Sequence, residues 1–176
     1  MTSPGNGGPG LPSKRKSNPL EKPVKIRWDA SKTVAENASE KLPELARGFF
    51  AGGEVAAKIG SFEALHRFRL LTKRFRYTLE LFRPCYGPGL ELRIEALRTL
   101  QQDLGEINDC ATTQDLVKKR DDLRPAQRDW LVGNLKMLAA ARVAKFRTYW
   151  QEEFGRPGRE RWWTNYLARF ASPRRK

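Results

Sequence analysis

The chain has few of the side chains from which metal sites and disulfides are built. Its 176 residues include two cysteines and one histidine. Cys85 and Cys110 match no disulfide or metal-binding spacing. Because a metal site usually brings several His, Cys or carboxylate ligands together, we expect no metal and no other cofactor. Cysteines without a disulfide framework are typical of a reducing compartment, so we expect a cytoplasmic protein.

Long apolar runs are also missing. No stretch approaches the roughly 18 apolar residues of a membrane-spanning helix, which predicts that the chain has no transmembrane segment. The first residues, Met-Thr-Ser-Pro-Gly-Asn-Gly-Gly, lack the apolar centre of a signal peptide. No run alternates between apolar and polar residues, and no Asn-Gly pair marks a hairpin, so β-strands are not expected.

Acidic residues are scarce relative to basic ones. The chain has 34 Lys and Arg against 20 Asp and Glu, which gives a formal net charge of +14. An excess of this size predicts a polyanionic partner, which can be nucleic acid, a phosphate polymer or an anionic surface.

Composition divides the chain into three segments. Residues 1–27 are rich in Gly, Pro, Ser and basic residues, and we expect a disordered basic tail there. Residues 28–155 carry helical periodicity throughout and predict one helical domain. Residues 156–176 hold a Trp-rich helical pattern and a basic end. We expect that helix to cap the bundle, with a dimer contact or shallow membrane attachment as the alternatives.

Four long helices and one short helix are predicted. The first is capped by Asp29 or Ser31, is kinked or split at Pro43, and is interrupted near its exit by Gly52-Gly53 and Gly60. The expected starting residues of the later helices are Ser61 as a cap, Leu90, Pro125 and Arg159. Helices of this length with short links predict an all-α fold, an antiparallel bundle of four long helices plus a short C-terminal helix.

The most informative segment is the second helix, residues 65–82. On a helical wheel its apolar residues fall on one side, and a basic face falls on the other. This basic face consists of His66, Arg69, Lys73, Arg76 and Tyr77. Between His66 and Arg76 there is no acidic residue to relieve the repulsion between neighbouring cations. The face is therefore either a solvated surface or an anion site, and Arg67 and Arg74 flank it.

A second polar strip lies on the third helix. Its members are Arg98, Gln101, Gly105, Asn108 and Asp109. This strip is either a polar seam that orients basic side chains or a direct ligand site. On the fourth helix, Arg142 and Lys145 lie beside the apolar stripe and are candidates for the same cleft.

Two motifs in this order resemble a known family, the conserved histidine α-helical (CHAD) domain. The first is Leu65-His66-x-x-Arg69-x-x-x-Lys73-x-x-Arg76-Tyr77, and the second is Leu100-Gln101-x-x-Leu104-Gly105-x-x-Asn108-Asp109. The resemblance implies a bundle whose basic residues line a central cleft, with inorganic polyphosphate as ligand and an association with polyphosphate granules. Family members usually contain two four-helix halves. This chain has one, similar to the second half, which implies a homodimer that rebuilds the pair.

The resulting prediction is non-enzymatic binding of inorganic polyphosphate. The candidate binding residues are His66, Arg69, Lys73, Arg76, Tyr77, Arg98, Arg142 and Lys145. No catalytic residue is expected, because the sequence has no P-loop, no Cys–His pair and no converging carboxylates for Mg²⁺. The alternatives are a nucleic-acid-binding helical protein, or an accessory module of phosphate-chain metabolism.

Overall fold

The structure is a computed structural model that describes Leu20, residues 27–169 and Ala171. This part of the chain contains helices and no strand, which confirms the all-α class. The helices are α1 (Val34–Ile59), α2 (Phe62–Leu81), α3 (Gly89–Lys118), α4 (Pro125–Tyr149) and α5 (Arg159–Arg169). Except for Leu20 and Arg27, the expected basic tail over residues 1–27 lies outside the described residues, as do Phe170 and residues 172–176.

Side-chain pairs between neighbouring helices establish the antiparallel arrangement. His66 and Arg76 of α2 contact Asn108 and Gln101 of α3, so one helix ascends as the other descends. In the same way, Lys145 of α4 contacts Asp103 of α3, and Trp150 after α4 reaches Glu54 of α1. None of the helices in the described part of the chain is long and apolar enough to cross a membrane.

The first helix begins later than its sequence pattern predicts. Thr33, rather than Asp29 or Ser31, is the N-cap: its hydroxyl accepts a hydrogen bond from the backbone N–H of Glu36. The Glu36 carboxylate in turn accepts a hydrogen bond from the backbone N–H of Thr33 at 2.7 Å, and this bond lowers the pKa of Glu36 together with the bond from the Thr33 hydroxyl. This reciprocal pair is a capping box, which a lone Asp or Ser cannot supply.

Removal of this cap is expected to have a measurable effect. Thr33→Ala should lower the free energy of unfolding by about 1 kcal/mol, because the backbone N–H of Glu36 loses its side-chain acceptor. Urea denaturation followed by circular dichroism measures the change. Ser39→Ala on the same helix is the control: its exposed hydroxyl only donates to the Glu36 carbonyl, so its loss should change stability by less than about 0.5 kcal/mol. Equal effects of the two substitutions would contradict the cap.

The interior of α1 differs from the predicted interruptions. The helix runs unbroken past Pro43, and Gly52 and Gly53 lie inside it rather than at its exit. Both glycines are buried, and a Cβ on Gly53 would lie 1.9 Å from the ring of Trp150. These glycines therefore serve close packing. The helix ends at Gly60, whose φ of 66° gives the left-handed C-cap.

The core is rich in aromatic rings and is completed by the C-terminal helix. Phe49 of α1 stacks against Phe68 and Phe75 of α2 at ring-centroid distances of 5.4 and 5.1 Å. Trp163 of α5 is fully buried in the same cluster, 6.0 Å from Phe75. Because α5 packs on α1 and fills this core, residues 159–169 belong to the bundle rather than to a separate surface segment.

Only the last turns of α4 enter this core. Its buried residues are Ala139 and Phe146, followed by Trp150 and Phe154 in a π-helical turn. The first half of α4 packs on the end of α3, and its apolar residues Val132 and Leu135 are only partly buried. The hairpin of α3 and α4 therefore projects beyond the ends of α1 and α2.

Candidate functional site

The basic face of α2 does not point freely into solvent, because it lies along a groove formed with α3. His66 Nδ1 lies 2.8 Å from Asn108 Oδ1, so the ring nitrogen donates and the amide oxygen accepts. Ten residues later, Arg76 Nε donates to Gln101 Oε1 at 2.9 Å. The polar strip of α3 thus orients the basic side chains of α2, and we call the space between them the basic groove.

Gly105 occupies the middle of this groove. A Cβ at this position would lie 3.8 Å from Arg69 Nε, which is an ordinary van der Waals contact. The Arg69 side chain therefore lies across α3 at Gly105, but the described contacts would also admit an alanine there.

At the Arg76 end of the basic groove, the arginines form ion pairs with carboxylates. Arg76 Nη1 donates to Glu80 Oε1 at 2.5 Å, and Arg98 Nη2 reaches the same oxygen at 3.3 Å. Arg98 also pairs with Glu95 at 3.1 Å, and this hydrogen bond contributes most to raising the pKa of Arg98. Two arginines therefore share two carboxylates, and little positive charge remains at this end.

The part of the groove that contains Arg69 and Lys73 carries positive charge without acidic partners among the described residues. Within the described residues, neither Arg69 nor Lys73 has an acidic side chain within 4.0 Å. Arg69 Nε is buried and has no hydrogen-bond acceptor in that same part of the structure. A buried donor without a partner costs about 1–3 kcal/mol, and more when the group is charged. The stretch from His66 to Lys73 is therefore where an anionic oxygen would be most stabilising.

Tyr77 lies at the edge of the basic groove and is half exposed, at 49%. The guanidinium of Arg76 lies 4.4 Å from the centre of its ring, and Lys73 Nζ lies 5.7 Å away. These cation–π contacts hold the two cations beside the groove mouth. The Tyr77 ring thereby positions the basic side chains of its own helix.

The two predicted site residues on α4 lie elsewhere. Lys145 Nζ contacts Asp103 Oδ1 at 2.6 Å, and Arg142 forms an ion pair with Glu106. Asp103 and Glu106 lie on the side of α3 that faces α4, whereas Gln101, Gly105 and Asn108 face α2. The expectation that Arg142 and Lys145 share the cleft of His66 is therefore wrong, because α3 separates the two grooves and each cation already has a carboxylate.

The sequence pattern did not reveal these acidic partners. Glu95 stands three residues before Arg98, a helical spacing that could have identified the pair. The contacts of Asp103 and Glu106 join residues that are 42 and 36 positions apart in the sequence, so no local signal marks them.

Arg93 is another basic residue near the apolar stripe of α3. Its guanidinium lies 3.6 Å from the centre of the Trp162 ring, and burial lowers the pKa of Arg93 to about 10.

The described residues contain no group of three or more His, Cys, Asp or Glu side chains that could hold a metal ion. Beyond His66 the basic groove opens into a cavity of about 480 Å³ between the start of α2 and the end of α3. The walls of this cavity are mostly apolar, with Leu65, Leu104 and Ile107 at its base. Together, the groove supplies several donors to an anion and no cluster of carboxylates for chemistry on it.

Comparison with known proteins gives one family. No curated protein and no solved structure shows significant similarity to the chain. The family model described as the CHAD domain matches residues 14–118, a span that includes α1, α2 and α3 and therefore both walls of the basic groove. CHAD domains are associated with polyphosphate and are not a catalytic family. Since the match covers more than half of the 176 residues, the chain belongs to the CHAD-domain family.

Proposed function

We propose that the basic groove binds inorganic polyphosphate without chemical change. The observation that carries the proposal is the uncompensated pair Arg69 and Lys73, with a buried Arg69 Nε that lacks an acceptor. A phosphate oxygen would supply that acceptor and neutralise both cations. Arg and Lys suit this ligand, because Arg donates in a planar fork and Lys acts as a mobile point charge.

The length of the basic groove favours a chain of phosphates over a single ion. Residues four apart on a helix are separated by about 6 Å along its axis. The stretch from His66 to Arg76 therefore extends over about 15 Å, and an extended polyanion can contact several cations at once.

Family membership supports the same ligand. In the cell, we propose that the protein is cytoplasmic and associates with polyphosphate granules. Because the chain resembles one half of the usual double bundle, we also propose that two copies associate, which would bring two basic grooves into one particle.

The exposed ring of Tyr77 is the observation that favours nucleic acid as a second candidate ligand. Its ring is half exposed beside two cations, an arrangement that single-strand binders use for base stacking. However, Phe68 and Phe75 of α2 are buried in the core, and Phe62, which is 42% exposed, lies at the far end of the helix beside the cavity beyond His66. Two exposed rings at opposite ends of α2 give a much weaker platform than the row of rings along a single-strand site.

A competition experiment separates the two ligands. Fluorescence anisotropy with labelled long-chain polyphosphate should show displacement by unlabelled polyphosphate at a concentration about tenfold lower than by single-stranded DNA of equal charge, and no displacement by orthophosphate. If three or four cations each contact a phosphate, raising the salt from about 50 to about 200 mM should weaken binding about 20- to 50-fold. Equal displacement by DNA would favour the nucleic-acid function, and no binding of polyphosphate would overturn the proposal.

A further inference from the structure

The outward face of α4 is an unusual surface for a protein of this charge. Its residues are all exposed and uncharged, namely Ala126, Trp130, Gly133, Met137, Ala140, Ala141, Ala144 and Thr148. The opposite side of the same helix is apolar as well, with Ala139 and Phe146 buried against the bundle. An apolar stripe on the side of a helix that faces away from the core is usually covered by another molecule when it is continuous. In the described structure nothing covers the outward face of α4.

Two large apolar side chains on this face are exposed to solvent. Trp130 is 68% exposed and Met137 is 67% exposed, and the two lie about two helical turns apart on the same stripe. Between and beyond them the residues are small. Isolated apolar residues on a surface are ordinary, but a continuous stripe along one helix marks an interaction site.

Gly133 gives an independent indication of a close partner. Glycine weakens a helix relative to alanine and is retained where its missing side chain serves a purpose. A Cβ at Gly133 would meet no atom within 4 Å in the described structure. No contact within the chain therefore requires a glycine there, whereas a helix of another molecule could approach closely at this position.

We propose that the outward face of α4 binds the same face of a second copy of this chain, with the two helices antiparallel. This inference gives a surface to the proposed pairing of two copies. The stripe is complementary in size to itself about a twofold axis at Met137. In that register Trp130 lies over Ala144 of the partner subunit, and Gly133 lies over Ala141 of the partner subunit. Trp130 thus meets a small residue, and Met137 meets its own copy at the axis, as an isologous interface allows.

Charge restricts where on the surface a second copy can bind. Two molecules that each carry a net charge of +14 repel one another over most of their surfaces. The outward face of α4 has no charged side chain along its centre, so two copies can meet there without opposing like charges. A strongly acidic partner would find no cation on this stripe to pair with.

Sedimentation equilibrium of the full chain tests the pairing. Between about 1 and about 200 µM we expect a reversible monomer–dimer equilibrium. Met137→Glu places two like charges together at the twofold axis and should raise the dimer dissociation constant about tenfold or more. Leu92→Glu is the matched control, because Leu92 is equally exposed, at 72%, but lies on α3. A natural chain that stays monomeric at every concentration would overturn the proposal, as would a Met137→Glu variant that dimerises like the control.

Cross-linking tests the register. Facing Cα atoms of closely packed antiparallel helices come within the range that a disulfide needs, about 4.4–6.8 Å. Met137→Cys should therefore form a symmetric disulfide under mild oxidation, whereas Leu92→Cys should not. Cys85 and Cys110 are buried and should stay unmodified. A cross-link at Leu92→Cys that matched the yield at Met137→Cys would contradict the antiparallel α4 pair.

The same variants separate this inference from the proposed ligand. Met137 is remote from the basic groove, so Met137→Glu should bind polyphosphate with unchanged affinity per chain at concentrations where the natural protein is monomeric. Unchanged binding by a monomeric Met137→Glu variant keeps the ligand and confirms the interface. A natural chain that dimerises but does not bind polyphosphate removes the ligand and leaves the interface intact.

Discussion

Reversing the charge of Arg69 and Lys73 together should lower the affinity for long-chain polyphosphate by about a hundredfold or more. The two side chains are the groove cations without acidic partners in the described structure, so an anion gains most from them. A hydrogen bond to a charged group contributes about 1.5–3 kcal/mol, and 1.4 kcal/mol corresponds to a tenfold change in affinity. The double substitution Arg69→Glu and Lys73→Glu removes two such contacts and adds repulsion. Isothermal titration calorimetry at fixed salt measures the loss.

The control for this experiment must change net charge by the same amount. Arg161→Glu with Arg47→Glu does so at exposed positions on α5 and on α1, two helices that do not form the basic groove. If general attraction to a basic protein explains binding, both double variants lose affinity equally. If the basic groove is the site, the control keeps its affinity within about threefold, which is the size expected for a distant, solvent-screened change.

Much of this groove follows from the sequence alone. The helical wheel of α2 places His66, Arg69, Lys73 and Arg76 on one side, and in the structure these residues lie along α3. The wheel also separates them from Arg74, which is exposed on the outer flank. Helical periodicity is local, so residues on one helix face can be grouped without knowledge of the fold.

The distribution of charge within the groove could be predicted only in part. Glu80 stands four residues after Arg76 on the same helix, a spacing that predicts their ion pair, whereas the contact of Arg76 with Gln101 crosses from α2 to α3. Which side chains of α3 meet each cation depends on the height at which α2 and α3 pack against one another. That register is fixed by the tertiary core, so it is invisible in the pattern of either helix. The same reason explains the wrong placement of Arg142 and Lys145.

The internal glycines of α1 show where helix propensity fails to predict a helix end. Gly52 and Gly53 were interpreted as a helix ending because glycine is a poor helix former. In the structure they are buried, and the ring of Trp150 lies against Gly53. A residue 97 positions away in sequence therefore decides the conformation at this point, and helix propensity gives way to packing. At Gly60, whose φ of 66° favours glycine, the propensity argument predicted the helix end correctly.

Gly53→Ala should destabilise the protein strongly, although alanine is the better helix former. The new Cβ would lie 1.9 Å from the Trp150 ring, which is 1% exposed and held by Phe50, Phe68 and Phe154. Overpacking of a dense core costs about 1–3 kcal/mol, and the ring has no free space into which to move. We therefore expect a loss near 3 kcal/mol, measured by urea denaturation. Gly133→Ala is the matched control and should gain up to about 1 kcal/mol below about 1 µM chain, where pairing through α4 does not contribute.

A second substitution at Trp150 tests whether this contact is the cause. Trp150→Phe alone removes part of a buried ring and the hydrogen bond from its indole N–H to Glu54, so it should also destabilise. Combined with Gly53→Ala, however, the smaller ring leaves room for the new methyl group. The double variant should then be more stable than the sum of the two single losses predicts, by about 1 kcal/mol or more. Strict additivity would mean that the cost of Gly53→Ala arises elsewhere in α1. A favourable coupling energy between the two substitutions would show that the packing of Gly53 against Trp150 is the cause. This contact joins α1 to the end of α4 and so stabilises the bundle to which α2 and its basic groove belong.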